Sequence, residues 1–231
     1  MTTALEQPDP GRHGSLRVGD PLAAPVPVLV QIIADEFAAA SALCPVMLTK
    51  HPETGGFYVA ALLGLKPDEP ALITRDELAG TFRPLDVERR GFYLADDGIA
   101  IDPRDPRFGD QSGEPLFAAD GRPGVALQRM TAIVRKLRDG LQHTDDFIAA
   151  MMTLKLVEPI DIELGFDDGD KLTLAGLYTI SLDALADLAD DQIVALFRAG
   201  HLQLAYAMTG SIRQFSRLAQ RRNAGLSAPV R

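Results

Sequence analysis

Five acids, Asp102, Asp105, Asp110, Glu114 and Asp120, crowd one stretch of this sequence. A hard cation such as calcium takes six to eight oxygen ligands, so a loop of this kind is where one would look for it. The spacing lacks the alternating acids and central glycine of an EF-hand loop. Pro103 and Pro106 further restrict how the carboxylates could converge, and solvated turn residues are the expectation, with no metal. The four histidines, His13, His51, His143 and His201, are scattered without ligand spacing. His13 falls in an expected tail, and His143 and His201 fall beside helix starts, where surface positions explain them. The single cysteine, Cys44, precedes Pro45 at the start of an apolar run and reads as a buried, inert thiol. No GxSxG elbow, GxGxxG turn or GxxxxGK loop occurs, so neither a nucleophile nor a phosphate-binding cofactor is implied.

Cationic chemistry has one focus. Arg89 and Arg90 stand beside Phe92 and Tyr93. Arginine forks bind carboxylate or phosphate in two-pronged fashion, and aromatic rings can flank such a ligand. Internal pairing is the competing reading: an arginine bridging to the acidic 102–120 stretch would fix that loop against a sheet. Arg213, Arg217, Arg221 and Arg222 give the last helix a basic end, which also suits a helix C-terminus.

These side chains need elements to hold them. Residues 28–40 show helical spacing through Val28, Ile32 and Phe37. CPVMLTK (44–50) and FYVAALLGL (57–65) read as two buried strands in a hairpin. ALITR (71–75) suggests a third strand, and residues 89–95 with 98–102 suggest another pair turning at Asp96-Asp97-Gly98. Residues 103–123 are rich in turn formers and too long and polar for a simple connection; loops of this length are often functional, and an irregular surface segment is the leading expectation. A helix from 124 ends at Gly140, and another begins with Thr144 as its cap. IDIELGF (160–166) and DKLTLAGLYTI (170–180) form a hairpin whose register depends on its turn. A three-residue loop, Asp167-Asp168-Gly169, sets Leu164 opposite Leu172 and Ile162 opposite Leu174, with Gly169 left-handed. Ser181 and Asp190 cap short helices, and a long helix fills about 201–220. Strands early and helices late, interrupted by a hairpin near 160–180, predict an α+β fold. Residues 1–22 read as a flexible N-terminal tail, 23–220 as a single domain and 221–231 as a flexible C-terminal tail.

Across the 231 residues the net charge is −9, a poor start for contact with nucleic acid or anionic membranes. Apolar residues make up 46%, enough to form a core without disulfides. The N-terminus lacks a basic start followed by an apolar run, and AAPVPVLVQIIA (23–34) falls short of the roughly 20 apolar residues of a membrane span. A cytoplasmic location is expected.

Several short motifs occur together in order: Glu36-Phe37 ahead of Pro45-Val46, and Phe57-Tyr58 with ALLGL within 56–65. RRxF (89–92), Ile101-Asp102 and GEPLFxxDG (113–121) follow. A helix start at Thr144 to Phe147, LxEP (156–159), Asp168-Gly169 with LxGLY to Tyr178, and Gly200 before Tyr206-Ala207 complete the set. In this the chain resembles the SapC family, bacterial proteins named for an S-layer-associated locus, over about 36–210. Departures fall at Cys44, where the family pattern has an aromatic, at the missing tryptophan after the first hairpin, and at RRGF, which lacks a proline. The resemblance carries no established enzymatic activity. It implies genes for outer-membrane receptors, flavin halogenase-like and cupin-like oxygenase proteins as neighbours, which suits an accessory or regulatory role. A non-enzymatic protein acting through protein–protein contact, and as a homo-oligomer in one version, is therefore the leading expectation. An enzyme subunit or small-molecule-binding partner of such an oxygenase or halogenase comes second, and a structural S-layer protein third. Arg89, Arg90, Phe92, Asp102, Asp105, Glu114, Phe117 and Tyr178 are the candidate binding surface. No catalytic residue, metal ligand or cofactor is assigned.

Overall fold

The computed structural model describes residues 5–95, 98–109 and 112–226. Among them the strands are β1 (Arg17–Val18), β2 (Leu29–Gln31), β3 (Val46–Lys50), β4 (Phe57–Leu62), β5 (Phe92–Ala95), β6 (Gly98–Ile101), β7 (Glu114–Pro115), β8 (Val157–Gly165) and β9 (Lys171–Ile180). The helices are α1 (Pro10–His13), α2 (Phe37–Leu43), α3 (Arg75–Gly80), α4 (Leu85–Glu88), α5 (Val125–Thr153), α6 (Leu182–Ala186), α7 (Asp190–Arg198), α8 (His201–Ser211) and α9 (Gln214–Leu226). The fold is α+β with antiparallel sheets, as the order of patterns predicts. Where one continuous domain over 23–220 was expected, the described residues gather into two compact units. One joins residues 5–26 to Leu85–Gly140, and the other joins Pro27–Pro84 to residues 141–226.

The first unit is built around Phe92, Ile101, Leu116, Ala126 and Met130, each shielded from solvent. Its two small ladders, β5 with β6 and β1 with β7, are antiparallel. The β5–β6 hairpin forms as the pattern predicts, and its Asp96-Asp97 turn lies outside the described residues. The segment before residue 23 is not the lead-in expected. Asp9 caps α1 by accepting the Arg12 N–H at 2.9 Å. Glu6 exchanges backbone bonds with Ile101, and Val18 joins the core. A short segment without hydrophobic periodicity is held here by pairing with distant strands, which local pattern cannot reveal. For the same reason His13 is buried, with Nε2 at 3.2 Å from Glu6 Oε2.

The second unit carries a five-stranded antiparallel sheet in the order β2-β4-β3-β9-β8. Val46, Met47 and Leu48 are consecutive and all fully buried, as are Val59, Ala60 and Ala61. Unbroken apolar runs mark strands covered on both faces, not one. The hairpin β3–β4 follows the expected pairing, with Lys50 opposite Phe57. So does β8–β9: Leu164 faces Leu172, Ile162 faces Leu174, and Gly169 takes φ 85°. Strand β8 lies at the sheet's border, contains Pro159, and shifts register between Ile160 and Ile162.

Five local expectations are corrected. Residues 29–31 form strand β2 instead of the start of a helix, because they pair with β4. ALITR makes no strand: the N–H groups of Leu72 and Ile73 both go to the Leu63 carbonyl. Thr74 then starts α3 in a reciprocal capping arrangement with Glu77. Helix α5 runs unbroken through Gly140 and Thr144. Thr144 does not cap it, because its buried hydroxyl accepts the Ala34 N–H at 2.8 Å. The last long helix divides into α8 and α9 after Ser211. Ser211 is buried, and its Oγ accepts the Val46 N–H at 2.8 Å. Residues 221–226, expected in a tail, complete α9, and residues 227–231 lie outside the described residues.

Candidate functional site: an arginine-walled cavity

The first unit brings part of the candidate set together. Helix α4 ends at Glu88, and Arg89 and Arg90 follow it into the turn before β5. Gly91 makes that turn at φ 79°, and a Cβ there would lie 3.0 Å from the Phe108 ring and 3.2 Å from the Asp105 side chain. Only glycine suits both the left-handed backbone and the space. Arg89 turns back to Asp86, bonding Oδ1 through Nε at 2.8 Å, and its guanidinium sits 5.5 Å from the Tyr93 ring centre. It is engaged locally. Arg90 is half-buried and reaches the carbonyls of Pro21 and Ala24, both at 3.4 Å. Burial lowers its pKa against the raising influence of Asp105 and Asp86. An arginine stays charged through such a change.

The acidic stretch is ordered by its own turns. Asp102 Oδ1 accepts the Arg104 backbone N–H and Nε, each at 3.1 Å. Those bonds lower the Asp102 pKa. Asp105 Oδ1 accepts the Arg107 N–H at 2.9 Å, starting a short 3-10 turn, Pro106–Gly109. Glu114 is exposed on β7 and pairs with Arg129 at 3.2 Å. Asp110 lies outside the described residues. Among the described residues no group of three or more His, Cys, Asp or Glu is placed to hold a metal ion.

The pin of this region is a residue the sequence reading passed over. Arg107 is only 6% exposed. Its Nε donates to Gly19 O at 2.9 Å, and its Nη1 donates to the carbonyls of Glu88 and Arg90. The guanidinium also lies 5.5 Å from the Phe92 ring centre. One side chain thus ties together residue 19, the end of α4 and the 102–109 turn. The bridging expected between an arginine and the acidic loop is made from inside the loop, and to carbonyls in place of carboxylates. Arg107 Nη2 is buried with no hydrogen-bond partner among the described residues. Desolvation lowers the Arg107 pKa as well.

Beside these groups lies a cavity of about 180 Å³. Arg90, Arg107, Asp105 and Asp20 supply its charge, and Pro21, Ala23, Ala24 and Pro106 its apolar wall. Of the candidate residues, then, Arg90 and Asp105 meet at one site. Phe92 and Phe117 are core: Phe92 is fully buried and Phe117 nearly so. Phe117 also backs two broader clefts of about 680 and 490 Å³. Tyr178 belongs to the second unit, on β9, where its ring meets Phe57 edge-on at 4.9 Å and Lys50 Nζ at 5.3 Å.

Elsewhere the second unit keeps its titratable groups in structural work. Cys44 is fully buried, and its thiol is pushed up to about 12 by desolvation. His201 is buried, not at the surface as expected, 6.3 Å from His143 and 5.7 Å from Phe147 between ring centres. Burial, with a smaller push from His143, lowers its pKa. Arg221 grips Glu77 through both Nη atoms, and Arg222 lies 3.8 Å over Phe166 while pairing with Asp170 at 2.8 Å. Arg221 and Arg222 of the basic end of the last helix are thus engaged within the unit.

An antiparallel α+β protein with a small arginine-walled cavity is the class that fold and site define. The family model for SapC matches residues 12–218, and the chain belongs to the SapC family. The match begins inside the segment whose pattern predicts a tail. No curated protein and no solved structure gives a significant match. No helix among the described residues is long and apolar enough to cross a membrane.

Proposed function

We propose that this protein works by contact, as a non-enzymatic accessory or regulatory partner of another protein, in the cytoplasm. The observation that carries this reading is how the strongest cationic groups are used. Arg107 and Arg90 hold backbone carbonyls and wall a small cavity, and the carboxylates that share it, Asp20 and Asp105, are each engaged by a backbone N–H, an arrangement suited to binding. The resemblance to a family of receptor- and oxygenase-associated loci favours a partner of that kind. The test is native co-purification: a stoichiometric partner should elute with the full-length chain from size exclusion at physiological concentration. Elution of the chain alone, from cells expressing it at native level, counts against the reading.

The cavity itself favours a second reading, a small-molecule-binding partner of an oxygenase- or halogenase-like system. Its mixed lining of guanidinium, carboxylate and short apolar side chains is the composition of small-ligand sites. The cytoplasmic placement is tested by fractionation, and recovery of the protein at the cell surface would favour an S-layer role instead.

A further inference from the structure

We propose that the Arg90–Arg107 cavity binds a small monocarboxylate, with the two acid oxygens on the Arg90 fork and its short carbon chain against Pro21, Ala23, Ala24 and Pro106. This rests on the small-molecule reading above and names its ligand class.

Size sets the first limit. A protein cavity of about 150 Å³ accommodates benzene, so 180 Å³ suits a ligand of about five to eight heavy atoms. Charge sets the second. Asp20 and Asp105 also line the cavity, each fixed by a backbone N–H: Asp20 Oδ1 accepts from Leu22 and Asp105 Oδ1 from Arg107, both at 2.9 Å. Two carboxylates held in place oppose a dianion such as phosphate. With two guanidinium groups and two carboxylates the lining is neutral overall, so a single negative charge held on the guanidinium side meets less opposition than a double one.

Donor supply is the third limit. Arg90 forms no salt bridge with any described residue, in a chain whose net charge is −9. Its two carbonyl contacts, at 3.4 Å, are beyond the usual N–H to oxygen range and are readily exchanged for a carboxylate. Behind it, Arg107 is more than nine-tenths buried and keeps one nitrogen unpartnered among the described residues. Unmet buried donors are rare in folded proteins, and a ligand oxygen is one way to complete them. Arg107 is already held by three carbonyls, so it acts as a fixed positive wall while Arg90 adapts.

The experiment is a titration of the full-length chain with propionate, butyrate, inorganic phosphate and n-butylamine. It is read by calorimetry and by the NMR resonances of the arginine Nε–H groups. Saturable binding of the carboxylates at about 1 mM or tighter, with Arg90 shifting and phosphate at least tenfold weaker, is expected. Arg90→Lys keeps the charge but loses the planar fork, and should weaken binding about tenfold. Ala24→Leu fills the cavity while keeping both arginines in the chain, and should abolish binding with near-UV circular dichroism unchanged. A tripeptide with a free C-terminus, against its amide, separates a polypeptide end from a free acid. Preference for the free acid keeps the small-ligand assignment, and a tenfold preference for the tripeptide overturns it. Phosphate or butylamine binding as tightly as propionate overturns the carboxylate class while leaving a ligand site in place. If no probe perturbs Arg90, or if Ala24→Leu binds like the wild type, the cavity is not a ligand site at all.

Discussion

At the residue scale, two displaced acid–base groups serve structure. The Cys44 thiol, pushed up to about 12 and fully buried, should resist alkylation in the native protein at pH 8. A thiol assay should show reaction only on unfolding, and rapid native labelling would contradict the burial. Glu77 lies well below the usual carboxylate range, at about 2, chiefly through its hydrogen bonds with Arg221. Its folded value is depressed, so its stabilisation is fully present above its ordinary 4.5 and is lost as pH falls toward 2. Arg221→Ala should cost about 1 kcal/mol at neutral pH, a modest figure because the pair is partly exposed. Urea titrations of the two proteins should converge near pH 2, and a constant difference across that window would contradict the assignment. Legibility at this scale was uneven. The burial of Cys44 followed from its apolar, proline-flanked setting. Arg107 did not stand out, because a lone arginine between Pro106 and Phe108 looks like loop polarity until the fold buries it. The Arg89–Arg90 doublet looked like one feature, yet only Arg90 faces the cavity.

At the element scale, hydrophobic alternation and turn chemistry carried far. The β8–β9 register was readable because only a three-residue loop puts both apolar sets on one face and gives Gly169 its left-handed backbone. Helix limits were less readable. Gly140 and Thr144 look like a stop and a start, but Gly140 is buried in mid-helix and Thr144 spends its hydroxyl on Ala34. Thr144→Val keeps the shape and removes that acceptor, and should destabilise the protein by about 1–3 kcal/mol, measured by urea unfolding. An unchanged midpoint would mean that the Ala34 N–H finds another partner. Gly91→Ala should cost about 1–2 kcal/mol, because strain at positive φ adds to the contact with Phe108 and Asp105. A neutral result there would mean that the 102–109 turn yields easily.

For the molecule as a whole, the α+β class and the strand-then-helix order were legible, while the grouping into two units was not. Each unit is assembled from two stretches far apart in sequence, and the division at Gly140 falls inside α5 with no break in its periodicity. Hydrogen exchange should show amides of 125–140 opening with the first unit and those of 141–153 with the second. Uniform protection along the helix would show that α5 opens as one piece. The contacts of the segment before residue 23 are long-range, and distant partners leave no periodic trace in the segment itself.

The border strand of the large sheet has one more consequence. Pro159 has no N–H to offer, the irregularity at Ile160–Ile162 interrupts the ladder, and Glu158, Asp161 and Glu163 place like charges along the same nine residues. A second molecule laying its own β8 alongside would find missing donors and repulsion. Fibrils nucleated from that rim are therefore disfavoured even in crowded, partly unfolded preparations.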